Sequence, residues 1–205
     1  MYVQTDILLI LHHKIRKMKQ IFITLAILAL GFNVNAQNWK SDLPHSNVVF
    51  TVSHMVVSDV DGTFKNFEAT MSSSKADFSD AKIKMVIVAN SISTDNEKRD
   101  AHLKSPDFFE VEKYENITFE STSVKSLGAG KLSISGKFSM HGITKNITLI
   151  ATYKVGTNIA NQKTIAGFKL NGKLSRKDFG IGGSTPVAVV GDEVNFKVNL
   201  EMVKD

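Results

Sequence analysis

Cysteine is absent from the 205-residue sequence, which excludes disulfide scaffolds, thiol nucleophiles and metal sites built from cysteine ligands. Tyrosine occurs three times and tryptophan once, against thirteen phenylalanines. Because phenylalanine has no polar group, this bias favours a hydrocarbon interior over a surface that stacks sugars or bases. The sequence also lacks a Gly-x-Ser-x-Gly nucleophile elbow and a glycine-rich phosphate loop between a strand and a helix. Common hydrolase and nucleotide-binding chemistries are therefore not expected.

The net charge of +5 is concentrated near the amino terminus. Residues 1–36 contain four lysines and arginines against one aspartate, which leaves only +2 for the rest of the chain. A basic face that would bind nucleic acid is therefore not expected. The histidines show no metal-ligand spacing, so no metal site is predicted.

Residues 1–36 are predicted to form a signal peptide. Basic residues precede an apolar stretch from Ile21 to Phe32, and Val34-Asn35-Ala36 matches a cleavage site before Gln37. An uncleaved membrane anchor is the alternative, although the stretch is shorter than the about 20 residues that a span needs. Met18 is the expected initiator, with residues 1–17 an over-extended start. The remaining residues, 37–205, are expected to form a single domain exported to the periplasm.

Hydrophobic residues alternate with polar ones through most of this domain, as in antiparallel strands with one face in water. Eight runs are found, at 47–57, 63–71, 81–89, 117–126, 131–140, 144–155, 166–175 and 193–202. Such long strands favour closure into a barrel over a sandwich. An eight-stranded barrel either fills with its own side chains or holds one small ligand. The predicted fold is all-β, an eight-stranded antiparallel barrel.

One short helical insertion is predicted between the third and fourth strands. Thr94 and Glu97 fit a capping box, with Thr94 as the N-cap of a helix that runs to about Leu103. Ser105-Pro106 then opens a second turn that carries Phe108 and Phe109.

The inward-facing residues predict an apolar tunnel, suited to a long slender molecule, in a barrel about 25 Å tall. The predicted tunnel residues are Phe50, Val52, His54, Phe64, Met85, Ile87, Phe108, Phe109, Phe119, Phe138, Met140, Phe168 and Leu170. His54 has two interpretations: it contacts a ligand head group, or it is a buried histidine hydrogen-bonded to a loop.

The insertion also has two interpretations. Arg99 and His102 share a helix face, where a cation could meet an anionic head group. Alternatively, Arg99 pairs with Asp95 or Asp100 and only holds the insertion together.

Ordered motifs along the chain carry a family resemblance. They are Asp42-Leu-Pro-His-Ser46, Phe50-Thr-Val-Ser-His54, Arg99-Asp-Ala-His-Leu-Lys-Ser-Pro-Asp-Phe-Phe109, Met140-His-Gly-Ile-Thr-Lys145 and Arg176-Lys-Asp-Phe-Gly180. With these the chain resembles the YceI-like family, exported polyisoprenoid-binding proteins with a lipocalin-like barrel. Ser175 and Asn146 depart from the family pattern, which often has Asn and Pro there, but neither change removes a charge or an aromatic residue.

The resemblance implies that a lipid binds inside the barrel, with isoprenoid phosphates or isoprenoid quinones as ligands, and it implies no catalytic residue. The first functional hypothesis is a carrier or reservoir for an isoprenoid or other amphiphilic lipid, with transient membrane contact and no cofactor besides the lipid. An enzyme that uses His54 or His102 as its acid–base group is the second, and a stress-response protein with incidental lipid is the third. A monomer or a homodimer is expected.

Overall fold

The computed structural model describes residues 36–205, so the predicted signal peptide lies outside the described residues except for Ala36. Eleven strand segments and one α-helix follow in chain order. They are β1 (Gln37–Ser41), β2 (Asn47–His54), β3 (Ser58–Phe64), β4 (Phe67–Ser73), β5 (Lys82–Val88), β6 (Ile92–Ser93), α1 (Glu97–Lys104), β7 (Asn116–Gly128), β8 (Lys131–Met140), β9 (Ile143–Thr157), β10 (Thr164–Ser175) and β11 (Val190–Lys204). Within this range no helix is long and apolar enough to span a bilayer.

The eleven segments occupy eight strand positions, because the first three strands are each broken in the middle. The first position consists of β1 and β2, which both pair with β11. The second consists of β3, which pairs with β2, and β4, which pairs with β1. The third consists of β5, which pairs with β4, and β6, which pairs with β3. Each later strand pairs antiparallel with its neighbour, and the β1–β11 pairing closes the ring. The prediction of an eight-stranded antiparallel barrel with one short helix is thus confirmed. The β1 segment, with its buried Trp39, was not predicted.

Glycines on the inner wall allow phenylalanine rings to lie flat against it. Phe50 pairs with Gly62 across β2 and β3, and Phe196 pairs with Gly172 across β10 and β11. A Cβ atom added to either glycine would overlap the ring opposite. The rings can therefore cover the neighbouring strand instead of filling the centre of the barrel.

The two ends of the barrel are closed differently. At one end, here called the plug end and comprising residues 74–81, 129–130 and 158–163, an aromatic cluster fills the interior. Phe78 lies at its centre, with ring centroids 5.5 Å from Trp39, 5.1 Å from Tyr153 and 5.4 Å from Phe168. The other end, here called the lid end, comprises the turns at 55–57 and 141–142, the insertion 94–115 and the segment 176–189. Loops and the short helix α1, rather than side chains of the strands, cover this end.

The helix of the insertion begins two residues later than predicted. Its N-cap is Asn96, whose side-chain oxygen accepts a hydrogen bond from the Arg99 amide at 2.9 Å. The prediction of Thr94 as N-cap is wrong because Asp95 adopts a left-handed conformation, with φ of 56°, that separates Thr94 from the helix. Thr94 is instead buried and donates from both its amide and its hydroxyl group to Asp100.

Candidate functional site

An apolar cavity of about 210 Å³ occupies the barrel interior. Twelve of the thirteen predicted tunnel residues line it: Phe50, Val52, Phe64, Met85, Ile87, Phe108, Phe109, Phe119, Phe138, Met140, Phe168 and Leu170. Strand alternation explains the ten that lie on strands, since inward and outward side chains follow one another along each strand. Phe108 and Phe109 come from the insertion and face the cavity from the lid end. Whether these residues bind a ligand stays a prediction.

His54 does not line the cavity, although it lies on the same strand face as Val52. It is the last residue of β2, opposite Ser58 and Val190, where the strand turns back at the lid end. Strand alternation predicts that His54 faces the interior, but on β2 the cavity lining ends at Val52, before the turn.

The last strand contributes an inner face that the predicted tunnel left out. Val194, Phe196, Val198, Leu200 and Met202 all line the cavity, from the lid end towards the plug end. Their alternation was visible in the sequence, so the signal that identifies them was present. Val190, earlier on the same strand, also lines the cavity. From Val190 to Met202 the strand extends about 30 Å along the barrel axis when it is tilted at about 40°.

Arg176 is the only ionisable residue that lines the cavity among residues 36–205, and it is only 4% exposed. Its guanidinium donates to five backbone carbonyls: Gly191 at 3.0 Å, Ile181 at 2.9 Å, Gly182 at 2.5 Å, Thr185 at 2.8 Å and Val190 at 2.9 Å. A guanidinium has five N–H bonds, so every donor is used. Arg176 therefore holds the segment 176–189 over the cavity and has no hydrogen bond left for a ligand.

The neighbouring carboxylate of Asp192 completes this anchor. It accepts hydrogen bonds from the Ser175 hydroxyl group at 2.8 Å and from the Lys177 amide at 3.1 Å. The Ser175 bond, followed by the Lys177 amide and the charge of Arg176, holds the pKa of Asp192 below its ordinary value. Asp192 therefore carries a negative charge close to a buried cation that has no carboxylate ligand of its own.

Arg99 and His102, predicted to bind a head group, do not line the cavity. The Arg99 guanidinium donates to the Thr94 hydroxyl group at 2.7 Å and to the Thr94 carbonyl at 2.8 Å. Within residues 36–205 it makes no ion pair with Asp95 or Asp100, although Asp100 binds the same threonine. His102 is exposed, 3.4 Å from Asp107, and its ring packs on Phe108. These contacts fit the alternative in which Arg99 holds the insertion together, through Thr94.

His141 connects the two segments that cover the lid end, and sequence reasoning gave it no role. Its Nδ1 lies 3.0 Å from the carbonyl oxygen of Phe179, in the segment 176–189. Its Nε2 lies 3.7 Å from a carboxylate oxygen of Glu110, in the insertion, and its ring packs on Tyr114 at 4.5 Å. Only the folded arrangement of three loops identifies this residue.

A polar cluster of Asp42, His45 and Glu201 lies at the break between β1 and β2, away from the cavity lining. His45 Nδ1 is 2.7 Å from Asp42 and 3.9 Å from Glu201. The hydrogen bond with Asp42 raises the pKa of His45 above its ordinary value. At the same break the Asp42 amide donates to the Glu201 carbonyl at 2.8 Å, and the Glu201 amide donates to the Ser46 hydroxyl group at 3.0 Å. These contacts and the cluster tie the interrupted strand to β11.

Comparisons with known proteins agree with this architecture. The YceI-like domain family matches residues 39–202. A protein named Protein YceI from Salmonella newport is 35% identical over 160 residues, which cover 78% of this chain and 82% of that protein.

Two solved structures share the fold. The Campylobacter jejuni YceI protein has a TM-score of 0.65 and 28% identity, and the match covers 75% of this chain and 90% of that one. A polyisoprenoid binding domain from Saccharophagus degradans has a TM-score of 0.60 over 82% of this chain and 98% of that one. At 17% identity it supports the fold alone. By its sequence and its barrel, the chain belongs to the YceI-like domain family.

Proposed function

We propose that the protein holds an isoprenoid or another long-chain amphiphile inside its barrel and acts as an exported carrier or reservoir for it. The observation that carries this proposal is the chemistry of the cavity wall. Apart from Thr118 and the fully bonded Arg176, every residue that lines the cavity is apolar. Such a wall favours hydrocarbon, since each buried CH₂ group contributes about 0.8 kcal/mol before the costs of association.

The two ends of the barrel define how such a ligand would lie. The plug end is filled by aromatic rings, while loops and α1 cover the lid end. Because an unpaired polar group is costly to bury, the head group would remain at the lid end, near water and the field of Arg176. Since all five Arg176 donors are used, recognition of the head group is expected to be weak compared with burial of the chain.

The family supports the same ligand class. The Saccharophagus degradans domain is named for polyisoprenoid binding, and the motifs of this chain resemble those of the family. An isoprenoid phosphate and an isoprenoid quinone both fit a cavity of this chemistry. For the enzyme hypothesis, the two histidines proposed as acid–base groups lie outside the cavity lining, so binding is the better supported function.

The test compares two arginine substitutions on adjacent residues of β11. Phe196 faces the cavity and Asn195 is exposed on the outside. Phe196→Arg should abolish lipid loading, measured by mass spectrometry of the lipid extracted from purified protein. Asn195→Arg, which adds the same charge, should leave loading unchanged. Wild-type protein that yields no bound lipid, or a folded Phe196→Arg protein that keeps it, would contradict the proposal.

Export is part of the proposal. Protein recovered from the periplasm should begin at Gln37, as the cleavage motif before this residue predicts. An intact-mass measurement on periplasmic protein checks this, and retention of residues 18–36 would show an anchor instead.

A further inference from the structure

Two adjacent turns at the lid end expose a small group of apolar side chains. Met55, Val56 and Val57 form the tip of the β2–β3 hairpin and are 55%, 79% and 86% exposed. Val187 and Val189, in the segment 176–189, are also exposed. The Met55 amide donates to the Val189 carbonyl at 2.9 Å, so the two turns are joined. These five residues are called the apolar rim below.

The hairpin tip is unfavourable for the isolated protein in two ways. Three consecutive apolar residues contact water, and two of them adopt left-handed conformations, with φ of 50° at Met55 and 63° at Val56. Hairpin turns of this kind prefer Asn-Gly, and a β-branched residue with positive φ is a marked exception. Neither choice helps the turn to form, so the side chains of this tip fit a role outside the folding of the barrel.

We propose that the apolar rim inserts into the surface of a lipid bilayer and so places the lid end of the barrel against the membrane. The inference rests on the proposed lipid-carrying function, because an amphiphile that enters or leaves the cavity at the lid end must pass between this end and a membrane. Val52 and Val190, which line the cavity, lie on the strands that lead directly into the rim.

The size of the rim favours a bilayer over a protein partner. Each partner of a stable protein interface contributes about 20–30 residues, whereas the rim has five on two turns. Binding to the interfacial region of a bilayer has no such minimum size and scales with the apolar area inserted, so five side chains fit weak, reversible docking. The strands that carry the rim contribute the acidic Asp59 and Asp192 rather than a cluster of lysines. Docking should therefore depend on apolar insertion and change little with salt or with anionic lipid.

The absence of cysteine allows a direct test of the tip. Val57→Cys places one thiol on the apolar rim, and Ile159→Cys places one at the plug end, where Ile159 is 90% exposed. Each thiol is labelled with an environment-sensitive maleimide dye and mixed with vesicles of phosphatidylcholine, or of phosphatidylethanolamine and phosphatidylglycerol at a ratio of 3:1. The label at position 57 should shift to the blue and brighten with both kinds of vesicle, while the label at 159 should not respond.

A second pair of variants tests whether the rim provides the affinity. In Val56→Asn/Val57→Ser the turn keeps its conformation, because asparagine tolerates positive φ. This variant should bind vesicles at least tenfold more weakly in flotation, whereas Ile159→Ser should bind as the wild type does. All proteins are produced from the full sequence, so any contribution of residues 1–35 is common to them.

Several results would overturn the inference. They are no response at position 57, an equal response at 57 and 159, binding that disappears in high salt, or a wild-type dimer that the rim variant dissociates. Lipid extracted from the same samples separates this inference from the proposed function. Protein that carries lipid without docking refutes the rim alone, and protein that docks without lipid refutes the carrier alone.

Discussion

Replacement of Arg176 is expected to act mainly by destabilising the lid end of the barrel, and less by removing a positive charge near a ligand. Arg176→Met leaves five carbonyls without their donor. Three of them, in Thr185, Val190 and Gly191, belong to partly exposed residues and can regain water, while Ile181 and Gly182 are buried. An unsatisfied buried carbonyl costs about 1–3 kcal/mol, so the free energy of unfolding should fall by about 2–6 kcal/mol.

Urea unfolding measures this loss, with a lower midpoint and an unchanged m-value as the expected signature. Arg176→Lys retains the charge but has three donors for five carbonyls, so its stability should lie much closer to Arg176→Met than to the wild type. Lys177→Met removes the same charge from the adjacent exposed residue and should change stability by no more than about 0.5 kcal/mol. If Arg176→Lys is as stable as the wild type and Arg176→Met loses only an anionic ligand, the carbonyl network is not the role of this residue.

Three further perturbations test other parts of the structure. Gly172→Ala should push the Phe196 ring from the wall into the cavity, lower the free energy of unfolding by about 1–3 kcal/mol and reduce lipid loading. Gly167→Ala on the same strand should leave stability and loading unchanged, because its new Cβ meets open space. Equal melting temperatures of the two variants would contradict this. Arg99→Ala should lower the melting temperature and weaken the binding of an isoprenoid phosphate and of an isoprenoid quinone equally in ligand titrations, because Arg99 holds the insertion through Thr94. Weaker binding of the phosphate alone would instead support a contact between Arg99 and the head group. Hydrogen bonds from Ser73, then Ser74, hold the pKa of Asp80 well below its ordinary value, and the hydrogen bond from Ser175 lowers the pKa of Asp192. Because the unfolded chain binds more protons, the stability that these carboxylates contribute is present above about pH 4 and is lost as pH falls through their folded pKa values. Asp80→Asn should reduce that loss when the free energy of unfolding is measured as a function of acid pH.

The strands and most of the cavity wall could be predicted because they depend on local periodicity. Alternation in β8, β10 and β11 states which side chains share a face, and barrel closure turns one face inward. Trp39 escaped prediction because β1 is short and its neighbours are polar. The contact of Phe196 with Gly172 depends on the register between two strands, which neither strand specifies alone.

The parts of the site that sequence reasoning missed depend on irregular chain. Arg176 appeared in a family motif, but its partners are backbone carbonyls spread from Ile181 to Gly191, and backbone atoms leave no trace in a sequence pattern. At Thr94 the sequence shows a pattern that the structure does not follow. A capping box is present, but the left-handed conformation of Asp95 makes Asn96 the N-cap. Both cases come from loops of the lid end, outside α1, where no periodic element fixes the path of the chain.

The contrast between the two ends indicates where the barrel can open. At the plug end Trp39, Tyr153 and Phe168 lie on strands, so moving their rings would break the ladder of the barrel. Phe78 lies on a turn that the Asp80 carboxylate ties by hydrogen bonds from Ser73 and Ser74. At the lid end the cover is held by polar anchors, namely Arg176, the Thr94–Asp100 pair and His141, and by buried side chains such as Phe108 and Phe179. Segments with little regular structure open at a smaller cost than strands in a closed sheet. The proposed exchange of a ligand at the lid end therefore requires no break in the eight paired strand positions, and the apolar rim lies at that same end.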